Sequence, residues 1–289
     1  MTINGVMSVA VQAITAQSMA ISNISDNVAN ATTVGYKAVE TQFLDVLQGM
    51  QATSSPVLGS TKQGGVIAYA DFANRGQGQI VDDDSDTSAA ISGNGFFAVA
   101  KPTGVDPETG EPTGFENAVY YTRQGDFHLD SSGRLVNSAG YYLMGSASGT
   151  GTTPSVLTID TGDNAAGSGF TGVSIGDGGV ITAHYSDKTT SAQGQVLLAN
   201  FREPDKLDRV DGNAFIATTD SGAAVYGNPM AGTNRAGIGT IVGGALEQST
   251  VDTANQMTKL IVAQQAYSMN SQVIQTANAM MSTVMDMKG

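Results

Sequence analysis

Both ends of the chain carry apolar residues at a spacing of seven, and this feature restricts the fold more than any other. The spacing keeps the side chains on one face of an α-helix and is typical of helices that pack along one another. The C-terminal stretch runs for roughly 35 residues without Gly or Pro, well beyond the average helix of about 11–12 residues. We therefore predict a long helix at each end, with packing seams formed by Met7, Ile14, Ile21 and Val28 and by Leu260, Tyr267, Ile274 and Met281.

The spacing leaves the partner of these seams open. The helices could pack on the protein's own core or on neighbouring copies. Their polar sides carry Gln, Ser, Thr and Asn, and only 13% of all residues are charged, against a usual level of about 25%. Such a neutral surface is typical of a protein that its neighbours cover, so we favour packing between copies. A secreted β-protein with Gly-rich turns fits the same composition.

The first helix is predicted to end in an unusual turn within NISDNVANATTVGYKAVETQF (23–43). Asn27 and Asn30 can hydrogen-bond backbone groups where the helical ladder ends. Gly35 can adopt a positive φ that β-branched residues avoid, and Tyr36 offers an aromatic anchor directly after it. We predict that these four residues form a turn motif that directs the chain away from the helix.

Between the two helices the hydrophobic period changes to two, which predicts β-strands. Turn sequences at 130–133 and 177–179 contain the Gly that positive-φ hairpin turns favour, so we predict a hairpin at each. Asp252 stands where a helix N-cap is favoured, directly before the C-terminal helix. The strand-like stretches are 95–102, 118–145, 172–186, 192–201 and 213–222.

The predicted fold class is α+β, with long N- and C-terminal helices in a coiled-coil-like inner domain and a central, mainly antiparallel β-domain. Residues 1–47 and 250–289 are assigned to the helical domain and residues 75–249 to the β-domain. Residues 48–74 are predicted to be an extended linker segment. The Gly-, Ser- and Thr-rich residues 146–170 could form a small outer excursion of the β-domain.

Net charge and leader sequence restrict the partners. A formal net charge of −13 disfavours nucleic acid, which requires clustered Lys and Arg. The absence of Cys excludes disulfides. The N-terminus has no basic region followed by an apolar core, so we predict no cleaved signal peptide. The apolar runs fall short of the ~20 residues of a membrane span, so we predict no membrane insertion.

The sequence offers few residues for catalysis or metal binding. His128 and His184 lie in alternating strand patterns and have no Cys or His partner at ligand spacing. Four aspartates between Asp82 and Asp86 lack the Gly and Glu that a calcium loop requires at its sixth and twelfth positions, which leaves at most an adventitious cation. No phosphate-binding, dinucleotide or nucleophile motif is present. We therefore predict no enzyme activity, no cofactor and no metal site.

Five further stretches stand in order along the chain: NVANATTVGYKA (27–38), ISGNGFFAV (91–99), YTRQGDFHLDSSGRLVNSAGYYLMG (121–145), GALEQSTVD (244–252) and LIVAQQAYSMNSQVIQTANAMM (260–281). In this order they resemble the bacterial flagellar rod and hook axial proteins. Each stretch alone is modest evidence, but together they span most of the chain. A secreted enzyme and a monomeric binding module remain the competing classes.

The resemblance implies a structural subunit of the bacterial flagellum that polymerises helically with identical copies. The terminal helices would form an inner tube around the export channel, with other flagellar axial proteins at either end. The subunit would be extracellular after export. Within the family, GQVLLANFREPDKL (194–207) is most similar to hook subunits. Only about 50 residues separate Met144 from Gln195, too few for the outer domain of many hook subunits, so a distal rod protein is the alternative.

Overall fold

A computed structural model describes the protein over residues 3–48, 63–106, 111–147, 151, 153–165, 167–229 and 237–287. The chain folds into two compact units. The helical unit consists of Met1–Ala31, Ala38–Ala73 and Val251–Gly289, and the β-unit consists of Thr32–Lys37 and Asn74–Thr250. The chain therefore enters the β-unit briefly at residues 32–37, returns to the helical unit, and enters the β-unit again at residue 74.

Two long helices and a β-hairpin make up the helical unit: α1 (Ile3–Ala29), α2 (Thr253–Asp286), β1 (Val39–Gln48) and β2 (Gln63–Phe72). α1 packs along α2 and against both strands of the hairpin. The carboxylate of Asp252 accepts hydrogen bonds from the backbone N–H groups of Ala254 at 2.9 Å and Asn255 at 3.2 Å. These bonds satisfy donors that the first helical turn leaves free, so the predicted N-cap is confirmed.

The hairpin differs from the extended linker that we predicted over residues 48–74. β1 pairs antiparallel with β2 in an unbroken register, from Val39 opposite Phe72 to Gln48 opposite Gln63. Residues 1–47, which we assigned to the helical domain, contain both α1, which ends at Ala29, and most of β1. The sequence did not predict β2 as a strand because four of its ten residues are Gly or Ala, which have little intrinsic strand preference. Pairing with β1 and packing on α1 define this strand.

The β-unit is built almost entirely of short antiparallel strands. Its main sheet runs in the order β11-β12-β13-β9-β5-β6-β16-β15, with β7, β8, β10, β14 and β17 attached. The strands are β3 (Ile80–Asp82), β4 (Ala89–Ser92), β5 (Phe96–Val105), β6 (Pro112–Thr122), β7 (Phe127–Leu129), β8 (Leu135–Asn137), β9 (Tyr142–Ser146), β10 (Ser155–Val156), β11 (Phe170–Ile175), β12 (Val180–Tyr185), β13 (Thr190–Val196), β14 (Leu198–Asn200), β15 (Asp208–Val210), β16 (Ala214–Ile216), β17 (Val225–Gly227), β18 (Thr240–Gly243) and β19 (Ala245–Glu247), with a short 3₁₀ helix at Pro204–Lys206.

Two hydrophobic clusters fill the β-unit. Phe97 belongs to the larger cluster and Phe96 to the smaller, because adjacent residues of a strand point to opposite faces. The fully buried members of the larger cluster include Ile91, Leu135, Leu143, Ile181 and Leu198. This core holds the predicted mainly antiparallel β-domain together.

The two predicted hairpins are confirmed, since β7 pairs with β8 and β11 pairs with β12. Within 146–170, β10 pairs with β9, and the side chains of Leu157 and Ile159 are buried in the larger cluster. The part of this excursion around Leu157 and Ile159 therefore packs on the core of the β-unit, whereas most of its other described residues are exposed. The fold is a central antiparallel β-region with an N-terminal and a C-terminal helix, and the coiled-coil geometry stays a prediction.

Candidate functional site

The predicted helix seams are partly filled within the chain. In α1, the side chains of Met7, Ile14, Ile21 and Val28 are all half-buried. In α2, Leu260, Ile274 and Met281 are half-buried, whereas Tyr267 is 42% exposed. Ala263 and Ala277 in the neighbouring positions are buried. Because α1 packs along α2, part of each seam faces the other helix of the same chain, and the assembly role of these residues stays a prediction.

A second apolar stripe on α2 is left uncovered. Successive members are separated by seven, four, seven and four residues, which keeps them on one side of a helix. Their side chains are between 40% and 61% exposed. We call this stripe the outer face of α2, and it consists of Val262, Met269, Val273, Met280 and Val284.

Asn27 joins α1 to the hairpin. Its side-chain Nδ2 donates to the carbonyl of Val39 at 2.8 Å, and its Oδ1 accepts from the N–H of Val39 at 2.9 Å. The side-chain amide of Asn27 thus bonds both the N–H and the carbonyl of Val39, as a neighbouring strand would. These buried polar groups are therefore satisfied. Asn30 donates to the carbonyl of Asp26 at 2.9 Å, where the helical ladder ends. Both Asn residues therefore bond backbone groups.

Gly35 has the positive φ that the sequence predicted, at +67°. Its N–H donates to the carbonyl of Glu247 at 2.7 Å. A Cβ added at this position would lie 2.6 Å from the carbonyl carbon and oxygen of Arg123. Gly is therefore required twice, once for the backbone conformation and once for the close approach of another backbone.

Tyr36 anchors the turn motif as predicted. Its ring is buried, and the guanidinium of Arg209 lies over it at 4.5 Å from the ring centroid, a favourable cation–π distance. Its carbonyl accepts from the N–H of Thr250 at 3.1 Å. Arg209 also donates to the carbonyl of Lys37 at 2.9 Å. Residues 32–37 are thus held in the β-unit by several hydrogen bonds and a cation–π contact.

A buried ionic cluster lies next to this turn, and we call Lys37, Arg123 and Glu247 the ionic clasp. Their side chains are 1%, 3% and 0% exposed. The carboxylate of Glu247 accepts from Lys37 Nζ, from Arg123 Nη1 at 3.0 Å, and from the backbone N–H of Gly78 at 2.8 Å. Lys37 also donates to the carbonyl of Gly76 at 2.6 Å. One carboxylate therefore ties together three separate stretches of the chain.

The clasp has two cations and one anion, and its electrostatics follow from burial. Burial lowers the pKa of Lys37 and the pKa of Arg123, while the Coulombic attraction of Glu247 opposes the shift for both. Arg123 is further held by the carbonyl of Gly93 at 2.7 Å and lies over the ring of Phe96 at 5.3 Å. An arrangement of this kind fixes positions rather than performing chemistry.

The sequence reasoning missed the clasp. Charged residues are scarce in this chain, and Lys37 and Glu247 stand inside the apolar contexts GYKAV and GALEQ. An isolated charge among apolar and small residues signals a buried pair, but only the fold shows that residues 210 positions apart meet.

The two histidines and the aspartates between Asp82 and Asp86 lie in the described part of the chain. No group of three or more His, Asp or Glu residues there could hold a metal ion. His128 is exposed, and a nitrogen of the His184 ring lies 2.7 Å from Ser174 Oγ. Between Asp82 and Asp86, the carboxylate of Asp83 accepts from Ser85 and Ser88.

One helix meets the length and composition criteria for a membrane span. It is Gly5–Ala29, near the N-terminus. Core helices and signal sequences meet the same criteria, and α1 packs along α2 and the hairpin. The absence of membrane insertion stays a prediction.

Three protein-family models match separate parts of the chain. The model of flagella basal body rod proteins matches residues 7–37. The model of the D1 domain of flagellar hook proteins FlgE/F/G matches residues 90–183, and that of the C-terminal region of flagellar basal body rod FlgEFG proteins matches residues 242–287. The first match contains the turn motif, the second contains Arg123, and the third contains Glu247 and α2.

Curated relatives extend over nearly the whole chain. The flagellar basal-body rod protein FlgG of Caulobacter vibrioides is 30% identical over 283 residues, covering 94% of this chain and 95% of that protein. FlgG of Bacillus subtilis is 28% identical, covering 92% of each. The flagellar hook protein FlgE of Brucella abortus is 26% identical over 418 aligned positions, covering 100% of each.

A solved structure, that of the Helicobacter pylori flagellar hook protein FlgE2, matches 71% of this chain at 12% identity. This chain spans 42% of that longer protein, and the TM-score is 0.22, which is too low to establish a shared fold.

The curated relatives and the family models together define the class, which is a structural component of the bacterial flagellum rather than an enzyme. More specifically, the chain belongs to the flagellar hook and rod family of FlgE, FlgF and FlgG.

Proposed function

We propose that the protein is a subunit of the flagellar hook, which polymerises helically through its terminal helices into a hollow, flexible tube that transmits motor torque. Identical copies are its main partners, and other flagellar axial proteins adjoin the polymer at either end. It acts outside the cell after export. The observation that carries this proposal is the exposed outer face of α2.

An uncovered apolar stripe on a long helix requires a partner. Val262, Met269 and Met280 are each about 60% exposed, although burying such a side chain contributes about 1.5–3 kcal/mol. Monomeric proteins rarely expose contiguous apolar surface of this kind. A contact between two different faces of identical copies is open-ended and generates a helical polymer.

The chemistry of the outer face suits a flexible polymer. Two of its five members are Met, an unbranched side chain that adapts to irregular surfaces. The only charged residues of α2 are Lys259 and Asp286, and neither belongs to the outer face. The outer face therefore has no ion pairs that would fix a single register between two copies. Small shifts between neighbouring subunits would then cost little free energy.

A matched pair of substitutions on α2 tests this role. Met280→Glu places a charge on the outer face, where assembly would bury it without a partner. Gln264→Glu places the same charge at an exposed position on the opposite side of the helix. We expect Met280→Glu to raise the critical concentration for tube formation about 100-fold or more, which corresponds to about 3 kcal/mol, and Gln264→Glu to change it little.

Electron microscopy and light scattering would measure assembly, and circular dichroism would check that both variants fold. Equal assembly of the two variants would exclude the outer face as the polymer contact. A wild-type chain that stays monomeric at high concentration would contradict the proposed function as a whole.

A distal rod subunit is the second candidate, and chain length favours it. The FlgG relatives align over 275 to 289 positions, close to the 289 residues here. The FlgE alignment runs over 418 positions, so that hook protein carries segments that this chain lacks. Basal bodies from cells without this gene would distinguish the two: rods without hooks support the hook subunit, whereas truncated rods support the distal rod.

A further inference from the structure

A small polar pocket opens in the β-unit at Arg123 of the ionic clasp, and we call it the arginine pocket. It has a volume of about 110 Å³, well above the roughly 10–15 Å³ that one water requires. Its walls come from the first residues of this unit, the loop before β5, and the residues that follow β14. The polar side chains that line it are Asn74, Arg75, Asn94, Arg123, Asn200 and Arg202.

Arg123 belongs to both the clasp and the pocket. Its Nη1 donates to Glu247 at 3.0 Å, and its Nη2 donates to the carbonyl of Gly93 at 2.7 Å. Its Nε–H is buried and has no hydrogen-bond partner among the residues that the structure describes. Leaving a buried donor of a charged group unpaired is costly, so an occupant of the pocket that accepts a hydrogen bond is favoured.

Asn74 adds an unpaired acceptor to the same pocket. Its Nδ2 donates to the carbonyl of Pro204 at 2.9 Å, which fixes the orientation of the side-chain amide. Its Oδ1 is buried, and no donor in the described part of the chain reaches it. An occupant that satisfies both buried groups must therefore accept one hydrogen bond and donate another.

The charges around the pocket favour an anion. The clasp has two cations and one anion, so it holds a buried positive charge in excess. Arg75 pairs with Glu203 at 3.0 Å and Asp205 at 2.8 Å, and Arg202 is exposed. These groups together comprise four cations and three carboxylates, and among the described residues no carboxylate lines the pocket. A negative charge placed there would offset the excess.

We propose that the arginine pocket binds one inorganic phosphate ion, which completes the ionic clasp as its second anion. An oxygen of the ion accepts from the Nε–H of Arg123, and a P–OH group donates to Oδ1 of Asn74. Phosphate keeps such a hydroxyl near neutral pH, whereas sulfate has none. The unpaired oxygen of Asn74 therefore selects phosphate between two tetrahedral ions of similar size. This site does not depend on the proposed polymerisation.

Isothermal titration calorimetry of the full chain would measure the site. With sodium phosphate near neutral pH and at constant ionic strength, we expect saturable binding of one ion per chain. Sulfate cannot donate to Asn74 and would leave a buried acceptor unsatisfied, so it should bind at least about tenfold more weakly.

A matched pair of substitutions separates the pocket from general effects of charge. Arg202→Gln removes an exposed cation that lines the pocket, and we expect the Kd for phosphate to rise about tenfold. Lys101→Gln removes the same charge from an exposed position on β5. Lys101 lies roughly 16 Å along the strand from Phe96 in the pocket wall, beyond a Debye length of about 10 Å, so the Kd should change by less than about twofold.

The substitutions leave the clasp intact, because a change at Arg123 would unpair Glu247 as well. Circular dichroism should show the wild-type spectrum for both variants. Phosphoserine provides the same chemistry on a larger body. Because the pocket is small and its unpaired atoms are buried, we expect phosphoserine to bind more weakly than free phosphate.

The outcomes are distinct. Absence of saturable phosphate binding, equal affinity for sulfate, or equal effects of Arg202→Gln and Lys101→Gln would each overturn the site. Tighter binding of phosphoserine than of phosphate would overturn the assignment to a free ion. A chain that binds phosphate as described but stays monomeric would support this site while contradicting the proposed function.

Discussion

Replacing Glu247 by Gln is the most informative perturbation of the β-unit. The side chain is fully buried, and its carboxylate is the only anion that the structure places against Lys37 and Arg123 in the described part of the chain. Gln keeps the shape and one carbonyl acceptor but removes the charge. The variant would therefore leave two buried cations beside each other with no counter-charge.

The expected cost follows from that imbalance. Removing one partner of a buried ion pair destabilises a protein by about 3–5 kcal/mol, because the remaining charge stays buried and uncompensated. Gln also loses the acceptor of one of three hydrogen bonds. Lys37→Met should cost less, since Glu247 then keeps Arg123 and the N–H of Gly78, and the buried cluster becomes neutral. We therefore expect Glu247→Gln to exceed Lys37→Met by at least about 1–2 kcal/mol.

Urea unfolding measured by tyrosine fluorescence would give these values. The β-unit contains seven of the nine tyrosines and the chain has no Trp, so the signal reports mainly on this unit. Glu203→Gln is the matched control, because Glu203 pairs with Arg75 at 3.0 Å in the same unit but is 51% exposed. Exposed pairs contribute about 0–1 kcal/mol.

A different order of the three unfolding costs would refute this account of the clasp. A cost for Glu247→Gln no larger than that of Glu203→Gln would show that the buried charges are compensated by something other than Glu247. A larger cost for Lys37→Met than for Glu247→Gln would show that the attraction of Lys37 to Glu247 outweighs its desolvation, contrary to the lowered pKa of Lys37.

Two further predictions concern the same unit. Gly35→Ala should destabilise this unit by about 1–3 kcal/mol or more in urea unfolding, and Gly35→Asn should be no better, since either Cβ meets the backbone of Arg123. The control is Gly140→Ala, because Gly140 has a φ of +83° but no neighbour within 4 Å of an added Cβ, and it should cost only about 1 kcal/mol. Equal costs for Gly35→Ala and Gly140→Ala would count against the close approach of Arg123. The hydrogen bond to Glu116 and burial raise the pKa of Tyr120 to about 12, so its contribution is complete below pH 10 and is lost as pH rises from 10 to about 12. Melting temperatures over this range should fall less steeply for Tyr120→Phe, and parallel curves would contradict the assignment.

Local signals were enough to predict the elements whose formation is decided locally. The seven-residue spacing predicted α1 and α2, Asp252 predicted the start of α2, and the Gly at 130–133 and 177–179 predicted two hairpins. The positive φ of Gly35 was also predictable, because Thr32, Thr33 and Val34 before it disfavour helix. Each of these depends on residues a few positions apart.

Features decided by distant pairing were not predictable. β2 has a weak strand pattern and exists through its register with β1. The sequence indicated only that Gly35 needs a positive φ. The backbone of Arg123, 88 positions away, adds the steric limit. The seams on α2 were predictable as apolar faces, but periodicity alone does not say which of two apolar faces the same chain covers.

The distribution of charge gives these separate findings one physical logic. In the β-unit, the three charges of the clasp are buried and bond the backbone of Gly76 and Gly78. Buried ion pairs contribute little net stability, but they penalise every arrangement that separates them, so they suit a place where the path of the chain must be fixed. The outer face of α2 has no charge, and apolar contacts are non-directional. Fixed geometry and adaptable contacts thus lie in different parts of the chain, and the flexible polymer that we propose would require both.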